Sequence, residues 1–330
     1  MRDDSLGSLL RDALAARQPL LDPLHECAVR LFNGFTEGCP DLVIDLYGHT
    51  AVIHNYANPP ERAATLVTSA HEAVRRAFRW LGAVVLKTRN SQVQQERRGI
   101  QKFGSESATQ IREAGLLYAL NLTLHQDCSF YLDTRHVRRW ALERLRNCSV
   151  LNAFAYTGSL GVAALGGGAR RAIHVDRTQR FLELAQQSCR LNGFAVSPGD
   201  FVHADFFREA GRLRRLGGRF DCVFLDPPYF AATAAGVVDL ESNSARLINK
   251  ARPLVAPGGH LVAINNALYL SGKAYMQVLQ SLCAEGYLEI VDLLPVPDDC
   301  IGMLQRAGTM PITDPAPFNH STKIAVLRAR

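Results

Sequence analysis

The sequence predicts an α/β protein: a doubly wound, mostly parallel, seven-stranded sheet over residues 111–330, preceded by a smaller N-terminal α+β domain over residues 1–110. Three observations predict it. From about Thr134 onward, short apolar runs alternate with helical segments in strict succession, the pattern of parallel strands buried on both faces. Two acids, Asp176 and Asp205, end successive runs, at the strand tips where open α/β sheets bind ligands. The 330 residues also exceed what one small core organises.

The first domain opens on a helical stretch, residues 6–17. Residues 28–32, 42–46 and 51–55 then alternate like strands, separated by the turn signals Asn33-Gly34, Gly38 and Gly48-His49, which predicts a small antiparallel sheet. Residues 60–81 carry Ala64, Val67, Ala70, Val74, Ala77, Phe78 and Leu81 at helical spacing, and residues 83–86 read as a strand. Lys87, Arg89, Arg97, Arg98 and Lys102 gather in the polar segment that follows; a solvated loop and a phosphate-contacting surface both suit them. Residues 116–124 alternate like a strand bridging to the larger domain.

In the second domain, residues 150–154, 172–175, 201–203, 222–225 and 261–264 read as buried parallel strands, with helices at 160–165 and 180–191 and two late strands at 287–293 and 323–328. Between the late strands lies a long aperiodic stretch, 295–322, holding Pro297, Pro311, Pro315, Pro317, Phe318, Asn319 and His320. Loops of this length are usually functional or disordered, and a lone histidine such as His320 is more often structural.

Val150-Leu-Asn-Ala-Phe-Ala-Tyr-Thr-Gly-Ser-Leu-Gly-Val162 reads as a strand running through a tight turn into a helix. Gly158 permits close backbone approach to a ligand and Gly161 lets the helix pack on the sheet. The helix closes at Gly166-Gly167-Gly168, and the next strand ends at Asp176, placed to accept from both ribose hydroxyls of a nucleoside cofactor. A nicotinamide dinucleotide would want Gly-x-Gly-x-x-Gly, yet Tyr156 occupies the first glycine place, so the pyrophosphate turn is incomplete. Asp205, in Val202-His-Ala-Asp-Phe-Phe207, suits an adenine amino group with Phe206 flanking the ring; capping the following helix is its other reading. Phe220-Asp-Cys-Val-Phe-Leu-Asp-Pro-Pro-Tyr-Phe230 delivers Asp226-Pro227-Pro228-Tyr229 to the sheet edge. There Asp226 and the Pro227 carbonyl can accept from an amine-bearing base while Tyr229 stacks on it; a plain strand-ending turn is the alternative.

These segments resemble the motifs of class I S-adenosylmethionine-dependent methyltransferases. More narrowly, Phe130-Tyr-Leu-Asp-Thr-Arg135, Leu151-Asn-Ala-Phe-Ala-Tyr-Thr-Gly158 and Asp226-Pro-Pro resemble the 23S ribosomal RNA methyltransferase family, over a span from about Val29 to the C-terminus. The resemblance implies a Rossmann-like catalytic domain, S-adenosylmethionine as cofactor and ribosomal RNA as partner. It also implies that Tyr131, Asp133 and Arg135 lid the cofactor and that Asn152, Phe154 and Tyr156 line the turn to Gly158, which approaches the methionine part. Asp176 then serves the ribose, Asp205 and Phe206 the adenine, and Asp226 both cofactor and acceptor. Members often carry an extra RNA-binding PUA domain at the N-terminus, for which this chain is expected to have no room.

The family includes cytosine-C5 and guanine-N7 enzymes. Carbon-5 of cytosine is not nucleophilic until a cysteine adds to the ring, whereas guanine nitrogens need no such activation. In cytosine-C5 members that cysteine follows the fifth strand; here Leu261-Val-Ala-Ile-Asn-Asn-Ala267 places Asn265 and Asn266 there, and Cys222 lies inside a strand. The paired asparagines resemble the guanine-N7 branch, since an amide reads a purine edge through both donor and acceptor; capping a loop is their other reading. Nitrogen methylation of guanine is the expectation, with Asp226, Pro227, Tyr229 and Asn265 as catalytic residues.

Composition narrows the remainder. A formal charge of +6 suits a polyanionic partner. No apolar run is long enough to cross a bilayer, and Asp3 and Asp4 stand where a signal peptide would be basic, so a cytoplasmic protein is expected. The eight cysteines show no CxxC pair and no zinc-ligand spacing, so reduced thiols and no metal are expected. Competing classes are a methyltransferase for a small-molecule or protein amine, a non-catalytic RNA-binding module, and a dehydrogenase, which Tyr156 disfavours.

Overall fold

The computed structural model describes residues 3–304 and 311–330. They fall into two compact units, residues 3–132 with 297–304 and 311, and residues 133–296 with 312–330.

The first unit is built on a five-stranded sheet of β1 (Ala28–Asn33), β2 (Leu42–Tyr47), β3 (Thr50–Asn55), β4 (Ala83–Thr88) and β5 (Ile100–Phe103), in that order. The sheet is mixed where the turn signals predicted an antiparallel one: β3 and β4 run parallel, because the helix Ala64–Ala77 carries the chain back across the sheet. That helix buries Ala70 and Val74, and the helix Asp3–Arg17 buries Leu6, Leu10 and Ala13 in the same core.

A hairpin of β6 (Gln110–Glu113) and β7 (Leu116–Ala119) follows. Its turn residues Ala114 and Gly115 both have positive φ, 49° and 83°, as a twisted two-residue hairpin turn requires. The hairpin stays with the first unit: Arg112 N donates to Glu26 O at 2.8 Å and the two side chains pair at 2.7 Å. The contacts therefore carry this unit past residue 110 to Leu132. Residues 297–304 of the long aperiodic stretch also build into it. Asp299 Oδ2 accepts from Arg30 N at 2.9 Å and Cys300 O from Asn33 Nδ2 at 2.8 Å; residues 305–310 lie outside the described residues.

The basic cluster is mostly structural. Lys87 is fully buried and its Nζ donates to the carbonyls of Arg98 and, at 2.9 Å, His125. Arg89 pairs with Asp127 at 3.0 Å and Arg97 donates to Ser91 O at 2.6 Å. Of the five basic residues these three are thus engaged in bonds within the unit, while Arg98 and Lys102 are exposed.

The second unit holds β8 (Ser149–Ala153), β9 (Arg171–Asp176), β10 (Phe201–His203), β11 (Phe220–Leu225), a hairpin of β12 (Phe230–Thr233) and β13 (Gly236–Asp239), β14 (Val255–Asn265), β15 (Leu288–Leu294) and β16 (Lys323–Ala329). Seven of these form one sheet in the order β10-β9-β8-β11-β14-β16-β15. The first five are mutually parallel, and β16 is antiparallel to both its neighbours. The chain winds outward in both directions from β8 and β11, which puts the topological switch point between them. Helices cover the sheet because its strands are apolar on both faces: Leu151, Val223, Leu261 and Leu327 on one face, and Val150, Phe224, Val262 and Val326 on the other, are all 1% exposed or less.

Gly161, in the helix Ser159–Gly166, lets that helix lie on β9. An added Cβ would sit 2.4 Å from His174 Cε1, and His174 is fully buried and stacked on Phe201 at 5.0 Å. Gly161→Ala is expected to destabilise the protein by about 1–3 kcal/mol, the usual cost of overpacking. An unchanged urea midpoint would show that the His174 ring yields.

Candidate active site

The strand tips converge on one edge. Ala153 of β8 is level with Val175 of β9 and Leu225 of β11, Asp176 with His203 of β10, and Leu225 with Ala263 of β14. The turn after β8, Asp176, Asp205, Asp226 and Asn265 therefore leave the sheet side by side.

The turn after β8 is backbone-strained and pinned. Phe154, Tyr156 and Gly158 have φ of 57°, 50° and 79°, and left-handed backbone at a non-glycine residue costs about 1–3 kcal/mol. Asp176 offsets that cost: its Oδ2 accepts from Tyr156 N at 2.9 Å and its Oδ1 from Thr178 N at 2.8 Å. Burial holds this carboxyl above its ordinary pKa even though those bonds pull it down. Gly158 answers to packing: a Cβ there would lie 2.5 Å from Ala185 Cβ and 3.0 Å from His174 Nδ1. Packing against Ala185 and His174 thus accounts for a glycine at this position.

Asp205 caps the helix Phe206–Arg215, its Oδ1 accepting from Phe207 N at 2.8 Å and Arg208 N at 3.4 Å. Its Oδ2 makes no hydrogen bond among the described residues, so the cap leaves one acceptor open. Two expected cofactor contacts are closed off. Phe206 is 4% exposed and packs on Phe154, ring centroids 4.8 Å apart; Asn152 is 1% exposed with its amide 3.4 Å from His174. Both shape the floor of the turn. Tyr156 is fixed edge-on against Phe181 at 4.5 Å.

Asp226 is half-buried with no hydrogen bond among the described residues. Burial first, and then the Asp133 carboxylate, push its pKa up to about 7. Asp133 accepts from Thr322 Oγ1 at 2.9 Å. Two neighbouring carboxyls of which one resists ionisation make a site for a cation. Pro227 is buried, and Tyr229 is exposed with its hydroxyl donating to Glu241 at 2.6 Å. Arg135 opens the helix Arg135–Arg144 in the same unit. Tyr131 belongs to the other unit, where its hydroxyl donates to Asp127 at 3.1 Å.

Asn265 corrects an expectation. It is fully buried; its Nδ2 donates to Leu240 O at 2.9 Å and its Oδ1 accepts from Ala267 N at 3.0 Å. The loop-holding reading prevails for this asparagine. Lys323, unnoticed in the sequence, supports the same loop: fully buried, it donates to Ala267 O at 2.9 Å and Ser321 O at 2.5 Å, and burial pulls its pKa down to about 8. Its sequence signal is a lone lysine heading an apolar strand.

No described thiol is activated at this edge. Cys222 is fully buried inside β11, and burial holds its pKa well above the ordinary value. In the first unit Cys128 lies 3.8 Å from His54, itself 3.3 Å from Asp45, but burial pushes that thiol up to about 12, so the row is no nucleophile relay. Among the described residues there is also no group of three or more metal-ligating side chains, and no helix long and apolar enough to cross a membrane.

A nucleoside carrying a sulfonium and an amino-acid tail fits this donor set. It offers hydroxyls and an amine to the carboxyls of Asp176 and Asp205, and positive charge to Asp133 and Asp226. A dinucleotide phosphate, bringing negative charge to four carboxylates, does not.

Comparison with known proteins agrees. The chain is 28% identical over 324 residues to ribosomal RNA large subunit methyltransferase I of Aeromonas salmonicida, covering 97% of this chain and 79% of that protein. It is 32% identical over 256 residues to ribosomal RNA large subunit methyltransferase K/L of Psychrobacter cryohalolentis, covering 72% of this chain and 32% of that one. The fold matches the crystal structure of SMU.776 complexed with SAH, with a TM-score of 0.85 at 21% identity over 100% of this chain and 82% of that one. Residues 84–294 match the model of the S-adenosylmethionine-dependent methyltransferase family. The chain belongs to that family and is an enzyme that draws its methyl group from S-adenosylmethionine.

Proposed function

We propose that the enzyme methylates a nitrogen of guanine in RNA of the large ribosomal subunit, in the cytoplasm. The observation that carries this reading is the Asp226 carboxyl, standing without an internal bond at the tip of β11 beside exposed Tyr229, on an edge with no activated thiol. The RNA substrate is supported by the named activity of relatives aligned over 97% of the chain and by the charge of +6. The first unit is the proposed RNA-binding part.

S-adenosylmethionine supplies an electrophilic methyl on a positively charged sulfur. Asp176 would hold the ribose hydroxyls, Asp205 the adenine amine and Asp133 the ammonium, with Arg135 in the lid. Asp226 and the Pro227 carbonyl would accept from the guanine while Tyr229 stacks on its face, so the protein's work is alignment and exclusion of water. Guanine N7, which carries a free lone pair and no hydrogen, receives the methyl without losing a proton. An exocyclic amine must shed one, and a carboxylate with a pKa near 7 is suited to take it.

The test is nucleoside mass spectrometry of large-subunit RNA after reaction. Methylguanosine is expected, with Cys222→Ala keeping incorporation within about threefold of wild type. Recovery of 5-methylcytidine, lost in a cysteine variant, would sink the nitrogen reading.

A further inference from the structure

We propose that residues 266–269 clamp the acceptor base, Asn266 reading its N–H edge and Tyr269 closing on the face opposite Tyr229. The proposal rests on the guanine reading above and names what recognises that base.

The first observation is placement. β11 and β14 are paired level up to Leu225 and Ala263, so the chain leaving β14 runs alongside Asp226-Pro227-Pro228-Tyr229. The two segments are also tied together: Leu240 N donates to Tyr229 O at 3.1 Å, and Leu240 O accepts from Asn265 at 2.9 Å.

The second is an unsatisfied amide. Asn266 Oδ1 is shielded from solvent and has no hydrogen-bond partner among the described residues. Such an oxygen costs about 1–3 kcal/mol until something donates to it. The loop has no need of it, because Asn265 and Lys323 already hold Ala267 from both sides. Guanine presents adjacent N1–H and N2–H donors on one edge, the chemistry an unpaired amide oxygen takes.

The third is a pair of exposed aromatic rings. Tyr269 is 62% and Tyr229 42% exposed. The Tyr229 ring is held in place by its hydroxyl, which donates to Glu241 at 2.6 Å. No ring contact joins the two tyrosines among the described residues. Two separated aromatic faces accept a flat base between them. Asp239 and Glu241 make the surroundings acidic, so the clamp meets a base and not the phosphate backbone.

The experiment uses the full-length protein, a transcript of large-subunit ribosomal RNA and tritiated S-adenosylmethionine. Asn266→Ala and Tyr269→Ala are each expected to lower kcat/KM for RNA by about 10–100-fold, with S-adenosylhomocysteine affinity by calorimetry unchanged. Tyr269→Phe, which keeps the ring, recovers most of the Tyr269→Ala loss. With N7 as the methylated atom, which inosine keeps, transcript carrying inosine for guanosine lacks only the 2-amino donor and costs the wild type more than it costs Asn266→Ala; no reaction of the wild type on inosine would mark the amine as the methylated atom. Asn266→Ser repeats the comparison with a smaller cavity should the alanine variant melt early. Wild-type kcat/KM in both alanine variants, a matching loss of S-adenosylhomocysteine affinity, or equal inosine penalties overturns the clamp. A wild-type protein that labels no RNA overturns the substrate reading instead.

Discussion

Replacing Asp226 with alanine is expected to lower kcat for methyl transfer by about 10²–10³-fold, the scale of losing one polar group aimed at the reacting centre. Cofactor affinity should change far less. The carboxyl makes no hydrogen bond within the described protein, so its removal orphans no donor. A second signature follows from its pKa of about 7. If the ionised form is the working acceptor, the wild-type rate climbs as pH rises toward 7 and levels above it. Asp226→Ala shows no such limb. Stability runs the other way: the folded carboxyl holds its proton more tightly than its ordinary value of 3.8 allows. Its contribution is therefore full below about pH 4 and lost as pH rises through about 7. Asp226→Asn should then melt above the wild type at pH 8, keep only part of that advantage at pH 5 and lose it below about pH 4. His174, pulled down to about 4 by burial, works in the opposite sense, being destabilising as pH falls from 6.5 toward 4, so the comparison needs the variant and not a bare pH scan. A rate loss matched by an equal loss of cofactor affinity would move Asp226 from the acceptor to the cofactor.

What the sequence disclosed was local. The strand-turn-helix through Gly158, the acids at the tips of β9 and β10, and the Asp-Pro-Pro-Tyr segment were legible because periodicity and turn chemistry act within a few residues. What it hid depends on partners far along the chain. Two adjacent asparagines look equivalent in sequence, but a backbone carbonyl 25 residues earlier, at Leu240, claims the first and leaves the second unpaired. Lys87 read as a loop cation because nothing nearby reveals that the carbonyls of Arg98 and His125 enclose it. The parallel pairing of β3 with β4 turns on a helix crossing that alternation alone does not encode. Residues 297–304 read only as part of a long aperiodic stretch because their anchors, Arg30 and Asn33, lie more than 260 residues away.

Asp176→Ala is expected to weaken S-adenosylmethionine binding by about 100-fold or more, and its cause differs in kind from that of Asp226. The carboxylate holds Tyr156 N and Thr178 N, and in the proposed reading it also accepts from the ribose. Alanine abandons both. Two backbone donors lose their partners, at about 1–3 kcal/mol each where water cannot reach them. The positive φ at Phe154 and Tyr156 then loses the bond that stabilises it, so the turn relaxes and the cofactor site loses its shape as well as its acceptor. The melting temperature should fall together with affinity, unlike the Asp226 variant. Asp176→Asn separates the two roles: one amide oxygen can still accept from Tyr156 N, while the second oxygen becomes a donor that Thr178 N cannot use. It should therefore recover part of the stability but little of the affinity. Calorimetry showing wild-type affinity in Asp176→Ala, with the loss confined to kcat, would exchange the roles of the two acids and detach the ribose from the tip of β9.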